Sequence, residues 1–232
     1  MAYIKNTAFE VYVSNSKRND TQNITGKFSS QAVKGNDANF KPEVCSAGFL
    51  CIPDSPLPNE GYETVYSRDT GGKWKEGAGL RNSNSWYMVA ATSGKMPYYS
   101  GDHTGIYACN TYNVAQATLG DMAINIPGKT LGLPIPAGER GDFTELIVGE
   151  QYNFGAGNFS TLPNADNLLV TIENGLLKAV PNVGKGGKLP TDGSVFFRVT
   201  DLNRRFTEGA FDGGAKYTLL CLRAPISAGA GA

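Results

Sequence analysis

From residue 44 onward the chain repeats one pattern. A short apolar run rich in aromatic and β-branched residues is followed by a cluster of Gly, Asn, Asp or Pro. "CSAGFLCI", "NSWYMVAAT" and "GIYACNTYNV" are such runs, and "PDSPLPNEG", "DTGGKWKEGAG" and "SGKMPYYSGDHTG" are the clusters between them. The run residues suit a pleated, half-buried surface, and the cluster residues supply the backbone angles of turns. Runs spaced by roughly ten residues predict an all-β fold of antiparallel sandwich or barrel modules with long loops. Only "NVAQATLGDMAI" is expected to hold a short helix.

The last ninety or so residues are the most regular. "FTELIVGEQYNF" alternates, with Phe143, Glu145 and Ile147 on one face and Leu146 and Val148 on the other. "LLVTIENGLLKAV" carries Asn174-Gly175 between two apolar runs, a hairpin signal because both turn positions want positive φ. "SVFFRVTDL" and "KYTLLCLR" read as two further strands joined by "NRRFTEGAFDGG". Upstream, 124–141 concentrates Gly and Pro and is expected to be a boundary, since Pro removes a ladder donor. Residues 14–43 are polar without period and read as an extended arm. The expected organisation is therefore an N-terminal strand and arm over 1–43, a β-rich module over 44–128, a C-terminal antiparallel β module over 129–224 and a flexible tail over 225–232.

The stretch most suggestive of chemistry is "IVGEQYNFGAGNFSTLP", 147–163. Glycines can cradle phosphate when they lead into a helix N-terminus, with a lysine in the P-loop case. Gly155-Ala156-Gly157 is followed by "NFSTLPNAD", with no Gly-Lys-Ser/Thr and no helical period, so these glycines are expected to turn the chain between strands.

Other candidates are weaker. The single histidine, His103, follows Asp102, yet adjacent strand residues point to opposite faces, so the pair does not form a dyad by itself. Glu145 with Glu150, or Asp121 with Glu139, offer carboxylate pairs that no spacing rule selects. "NADN" and "DGG" are too short and too poor in carboxylates for an EF-hand calcium loop. Cys45 and Cys51 are separated by five residues, while Cys109 and Cys221 stand alone; none makes a Cys-x-x-Cys pair. All four are expected to be buried thiols, with a Cys45–Cys51 disulfide open to a chain that leaves the cell. No catalytic residue, metal site or cofactor is expected.

Composition narrows the partners. Twenty-one basic residues balance 21 acidic ones, which lacks the positive footprint of a nucleic-acid binder. No apolar run approaches the roughly 18 residues that span a bilayer, and "MAYIKNTAFEVYV" does not read as a signal peptide. Synthesis in a cytoplasm is expected, with the sequons at Asn23 and Asn158 unmodified.

Across "LGLPIPAGERGDFTELIVGEQYNFGAGNFS", "VTIENGLLKAV" and "VFFRVTDLNRRFTEGAFDGGAKYTLLCLR" the chain resembles small virion proteins of tailed bacteriophages, and more narrowly the auxiliary head proteins that decorate or cement a capsid. The resemblance lies in strand-and-turn style over about the last hundred residues and carries over no functional residue. It implies a non-enzymatic structural protein on the capsid surface of a virion. Its partners would be the major capsid protein and further copies of itself. A tail tube or other tail component is the alternative. Residues suited to such contacts are Lys17, Arg18, Phe28 and Phe40 on the arm, Tyr98 and Tyr99 in "MPYYSG", and Arg204 and Arg205 in "LNRRFTEG". Tyr98, Tyr99 and Trp74 equally fit a third reading, a carbohydrate-binding β module.

Overall fold

The computed structural model describes residues 7–13, 23–28, 44–56, 64–68, 74–80, 86–96, 101–110, 135–136, 140–205 and 215–226. Within them the fold is all-β, as the spacing of apolar runs predicts. The expected short helix in "NVAQATLGDMAI" lies outside the described residues.

Five strands close a barrel in the order β10 (Arg140–Ile147), β2 (Asn23–Phe28), β7 (Trp86–Ala90), β4 (Leu50–Pro56) and β8 (His103–Cys109), with β8 returning to β10. An odd number of strands cannot alternate direction all the way round a ring. One pair must run parallel, and it is β2 with β7. The other neighbours are antiparallel.

A second, seven-stranded sheet has the order β1 (Phe9–Val13), β11 (Gln151–Gly155), β16 (Ala215–Arg223), β15 (Val195–Arg205), β13 (Leu169–Glu173), β14 (Leu176–Val180) and β12 (Phe159–Thr161). It is antiparallel except where β12 runs parallel to β14. The described residues also form two ribbons: β3 (Val44–Cys45) with β9 (Ile135–Pro136), and β5 (Thr64–Arg68) with β6 (Trp74–Leu80).

Barrel and sheet share one core. Along β8, Ile106 and Ala108 join Leu50, Ala91 and Leu146 against Tyr152, Phe154, Val170, Phe197 and Leu219 of the sheet. The alternate residues Tyr107 and Cys109 pack inside the barrel with Phe28, Cys51, Met88 and Phe143. Both faces of these strands are buried, which is why their sequences read as nearly continuous apolar runs.

The expected boundaries do not separate the two bodies. Residues 23–28, placed on the arm, form a barrel strand. β10, placed in the C-terminal module, also belongs to the barrel, whereas β1 from the N-terminus edges the large sheet. The Gly- and Pro-rich boundary stretch itself contributes β9 and the start of β10. "FTELIVGEQYNF" is two strands: β10 ends at Ile147, the chain turns at Val148 and Gly149, and β11 begins at Gln151 in the other sheet. The Asn174-Gly175 hairpin forms as read, with φ of 51° and 79° at its two turn residues.

Candidate functional site

The densest polar cluster among the described residues lies where the barrel hands over to the sheet. Its origin is a bulge. Opposite β10, Glu145 pairs with Tyr107 but Ile147 pairs with His103, so β8 carries extra residues there, and Gly105 adopts φ 68° to accommodate them. A bulge leaves backbone amides without ladder partners. The Gly105 amide donates to Glu145 Oε1 at 3.0 Å, and the Ile106 amide donates to Thr104 Oγ1 at 3.1 Å. Thr104 Oγ1 in turn donates to the Leu146 carbonyl at 2.5 Å.

The second oxygen of Glu145 lies 3.1 Å from His103 Nδ1. Glu145 is buried, whereas the His103 side chain is 51% exposed. With a carboxylate at Nδ1, the proton of a neutral imidazole belongs on that nitrogen, leaving Nε2 as an acceptor. Arg223 Nη2 donates to the His103 carbonyl, and the Val148 amide donates to the Asp102 carbonyl, tying both sides of the bulge to the turn and to β16.

Five residues along the chain from Glu145, Glu150 is fully buried and accepts from the Tyr152 hydroxyl at 2.6 Å, while that hydroxyl accepts from the Ile147 amide at 2.7 Å. Burial pushes the Tyr152 phenol well above its ordinary range, and the hydrogen bond to Glu150 adds to this. Cys221, whose amide donates to the Glu150 carbonyl, is likewise raised, by burial first and by the Glu150 charge second. Among the described residues no group of three His, Cys, Asp or Glu is arranged to hold a metal ion, and no helix is long and apolar enough to cross a membrane.

Chemically, the dyad has the orientation of a base held by a carboxylate, but Thr104, the hydroxyl beside it, is buried and its proton is directed at Leu146. Sequence reasoning missed Glu145 as the partner of His103 because the two are 42 residues apart. The signal was Gly105 inside the apolar run "GIYAC", which marks a bulge. Glu145 and Glu150, read as a possible carboxylate pair, serve different local networks.

A second polar node fixes the N-terminal strand. Asn158, in the three-residue 3-10 turn Ala156–Asn158, accepts with Oδ1 from the Ala8 and Gly155 amides at 3.2 and 3.0 Å. Its Nδ2 donates to the Ala47 carbonyl at 2.7 Å. The glycine cluster thus turns the chain between β11 and β12, as expected, and its asparagine joins sheet to barrel. On β1, Glu10 accepts from Lys216 at 2.9 Å and from Asn153, which accepts from Thr218 at 2.7 Å. The register places Glu10, Asn153 and Thr218 in one cross-strand row.

The proposed contact residues fare differently. Phe28 is corrected: it is fully buried in the barrel core, edge-on to Phe49 at 6.0 Å, so its area is used within the chain. Arg204 and Arg205 extend β15 opposite Lys216 and Ala215, where a connector was expected. Trp74 opens β6. Lys17, Arg18, Phe40, Tyr98 and Tyr99 lie outside the described residues. All four cysteines are buried free thiols, as expected.

Among the described residues, exposed large apolar side chains that the sequence did not single out fall in two places. Val11 and Tyr12 lie on the edge strand β1. Leu162, Val183, Leu189 and Ile226 lie on loops at one end of the large sheet, where β12 and β14 end, β13 and β15 begin, and β16 finishes. Asn182 braces these loops: its amide and Nδ2 donate to the carbonyls of Asp166 and Ala165, and its Oδ1 accepts from the Leu168 amide.

The architecture defines an all-β protein built from a five-stranded barrel joined to a seven-stranded sheet. Compared with family models, with curated proteins and with solved structures, the chain gives no match.

Proposed function

We propose that this chain is a non-enzymatic structural protein of a tailed-phage particle, attached to the capsid surface as a decoration or cement protein. The observation that carries the reading is the placement of exposed apolar side chains: Val11 and Tyr12 on the sheet edge, and Leu162, Val183, Leu189 and Ile226 on the braced rim. Clusters of exposed apolar side chains mark contact surfaces. Apolar side chains exposed both at the sheet edge and at the rim of one β framework suit a protein that touches more than one neighbour.

The polar clusters support the same reading. Glu145, Thr104, Glu150 and Asn158 each spend their hydrogen bonds on backbone groups or neighbours of the fold. Contacts of modest strength, repeated by particle symmetry, add up through effective concentration. The partners are the major capsid protein and neighbouring copies of this chain.

Cosedimentation tests the proposal. Purified protein is mixed with capsid shells lacking it and, separately, with isolated tails. Saturable pelleting with shells supports the reading. Assembly into rods or rings, or pelleting with tails alone, replaces it with the tail reading.

A further inference from the structure

Cys45 and Cys51 meet across the turn at Ala47 and Gly48. Their sulfurs lie 3.8 Å apart and both side chains are fully buried. A disulfide has an S–S length of about 2.05 Å, so closing the gap takes less than about 2 Å of approach. A third thiol, Cys109, directs its proton to the Cys45 carbonyl at 3.7 Å. Cys221 packs in the other core cluster.

We propose that Cys45 and Cys51 form a redox-convertible pair, held as thiols under reducing conditions and joined as a disulfide by a low-molecular-weight disulfide oxidant. The inference rests on the geometry of the pair and stands independently of the capsid reading.

Access comes from the weakest neighbouring element. β3 is only two residues long and pairs with an equally short β9, where Pro136 has no N–H to give. Cys51 lies instead in β4, flanked in the barrel by β7 and β8. Local opening of the ribbon releases Cys45 and leaves Cys51 in place. In the closed fold, burial pushes both thiols above their ordinary value, so the reactive thiolate forms only on opening.

The released Cys45 loses its proton and attacks one sulfur of the oxidant. This breaks the oxidant's S–S bond, forms a mixed disulfide and expels one small thiolate, which takes up a proton. With the ribbon open, water reaches Cys51, which gives up its proton; its thiolate attacks the Cys45 sulfur of the mixed disulfide and expels the second small thiolate, which takes up a proton. Two protein thiols are oxidised to one disulfide as one oxidant molecule is reduced to two thiols, and the chain loses two hydrogens.

The test incubates the full-length, fully reduced chain with glutathione disulfide under native conditions. The reaction is quenched with a thiol-alkylating reagent and read by intact mass and peptide mapping. The expected product has lost two hydrogens, carries no glutathione and links Cys45 to Cys51. Its rate rises up to about tenfold per pH unit between pH 6 and 8, following the thiolate fraction of an opened cysteine. Cys109→Ala gives the same link, and Cys51→Ala stops at the mixed disulfide. A wild-type chain that stays unoxidised, that retains a glutathione adduct, or that links Cys109 overturns the proposal.

Discussion

Gly175 packs against the ring of Phe49 so closely that a Cβ built on it would lie 2.2 Å from Cζ, and its φ is 79°. The tip of the β13–β14 hairpin thereby docks on the barrel. The Gly175 amide donates to the Ala91 carbonyl at 2.7 Å, and its carbonyl accepts from the Leu50 amide at 2.8 Å. Gly175→Ala is expected to cost about 2–4 kcal/mol, combining a strained left-handed backbone with overpacking. Urea unfolding measures it. In a Phe49→Ala background the added cost of Gly175→Ala shrinks, because the ring it strikes is gone. Equal cost in both backgrounds would place the effect in the backbone alone.

The bulge on β8 predicts an asymmetry between the two members of the dyad. Glu145→Ala leaves the buried Gly105 amide without its acceptor and is expected to destabilise by about 1–3 kcal/mol. Glu145→Gln keeps an oxygen for that amide and recovers part of the loss. His103→Ala, at a half-exposed side chain, costs under about 1 kcal/mol. Chemical denaturation of the three variants gives the order.

Asn158 makes the sharpest prediction for the N-terminal strand. Asn158→Ala strands the Ala8 amide and the Ala47 carbonyl, while the Gly155 amide keeps the Ala8 carbonyl, at about 2 kcal/mol. Hydrogen exchange should show β1 losing protection more than β13 and β14. Uniform loss across both would mean that Asn158 does not act as the specific tie of β1.

Stability should fall on the alkaline side. Cys45, Cys51, Cys221 and Tyr152 are all raised by burial, so the native state keeps protons that the unfolded chain releases above about pH 8.5 for thiols and about pH 10 for the phenol. The native state then binds more protons than the unfolded one. Stability from these groups is fully present below about pH 8.5 and declines as pH rises, by up to about 1.4 kcal/mol per pH unit for each group. Urea midpoints between pH 7 and pH 11 should trace this fall, and Cys221→Ala should make it shallower.

Much of the fold is legible in the sequence, and the exceptions have physical causes. The strands of "LLVTIENGLLKAV" and the turn at Gly155–Asn158 follow from local signals, namely Asn-Gly chemistry and alternation. The assignment of strands to bodies does not. "FTELIVGEQYNF" looks like a single alternating run, yet Gly149 at φ 90° turns it from barrel into sheet. Likewise "NITGKF" turns Ile24, Gly26 and Phe28 inward and Asn23, Thr25 and Lys27 outward, an alternation too short to stand out within the polar 14–43 stretch and weakened by a glycine at its centre. Gly26 is glycine for a tertiary reason, since a Cβ there would meet Met88 Cγ at 2.3 Å. The His103–Glu145 contact depends on a bulge and a pairing distant in sequence, and only Gly105 hints at it.

The position of β2 limits which variants can test the arm. Excising 14–40 removes a barrel strand, so lost attachment would report lost folding. Charge reversal of Lys17 and Arg18 to Glu leaves β2 intact. It is expected to weaken pelleting with shells at an unchanged melting temperature.

The most direct test of the structural-protein reading is electron microscopy of capsid shells that lack the protein, imaged before and after it is added back. The account predicts new density at symmetry-related positions on the shell, with occupancy reduced when Val183 and Leu189 are replaced by Asp. Shells that look the same before and after addition, at protein concentrations well above those of the particles, would contradict it.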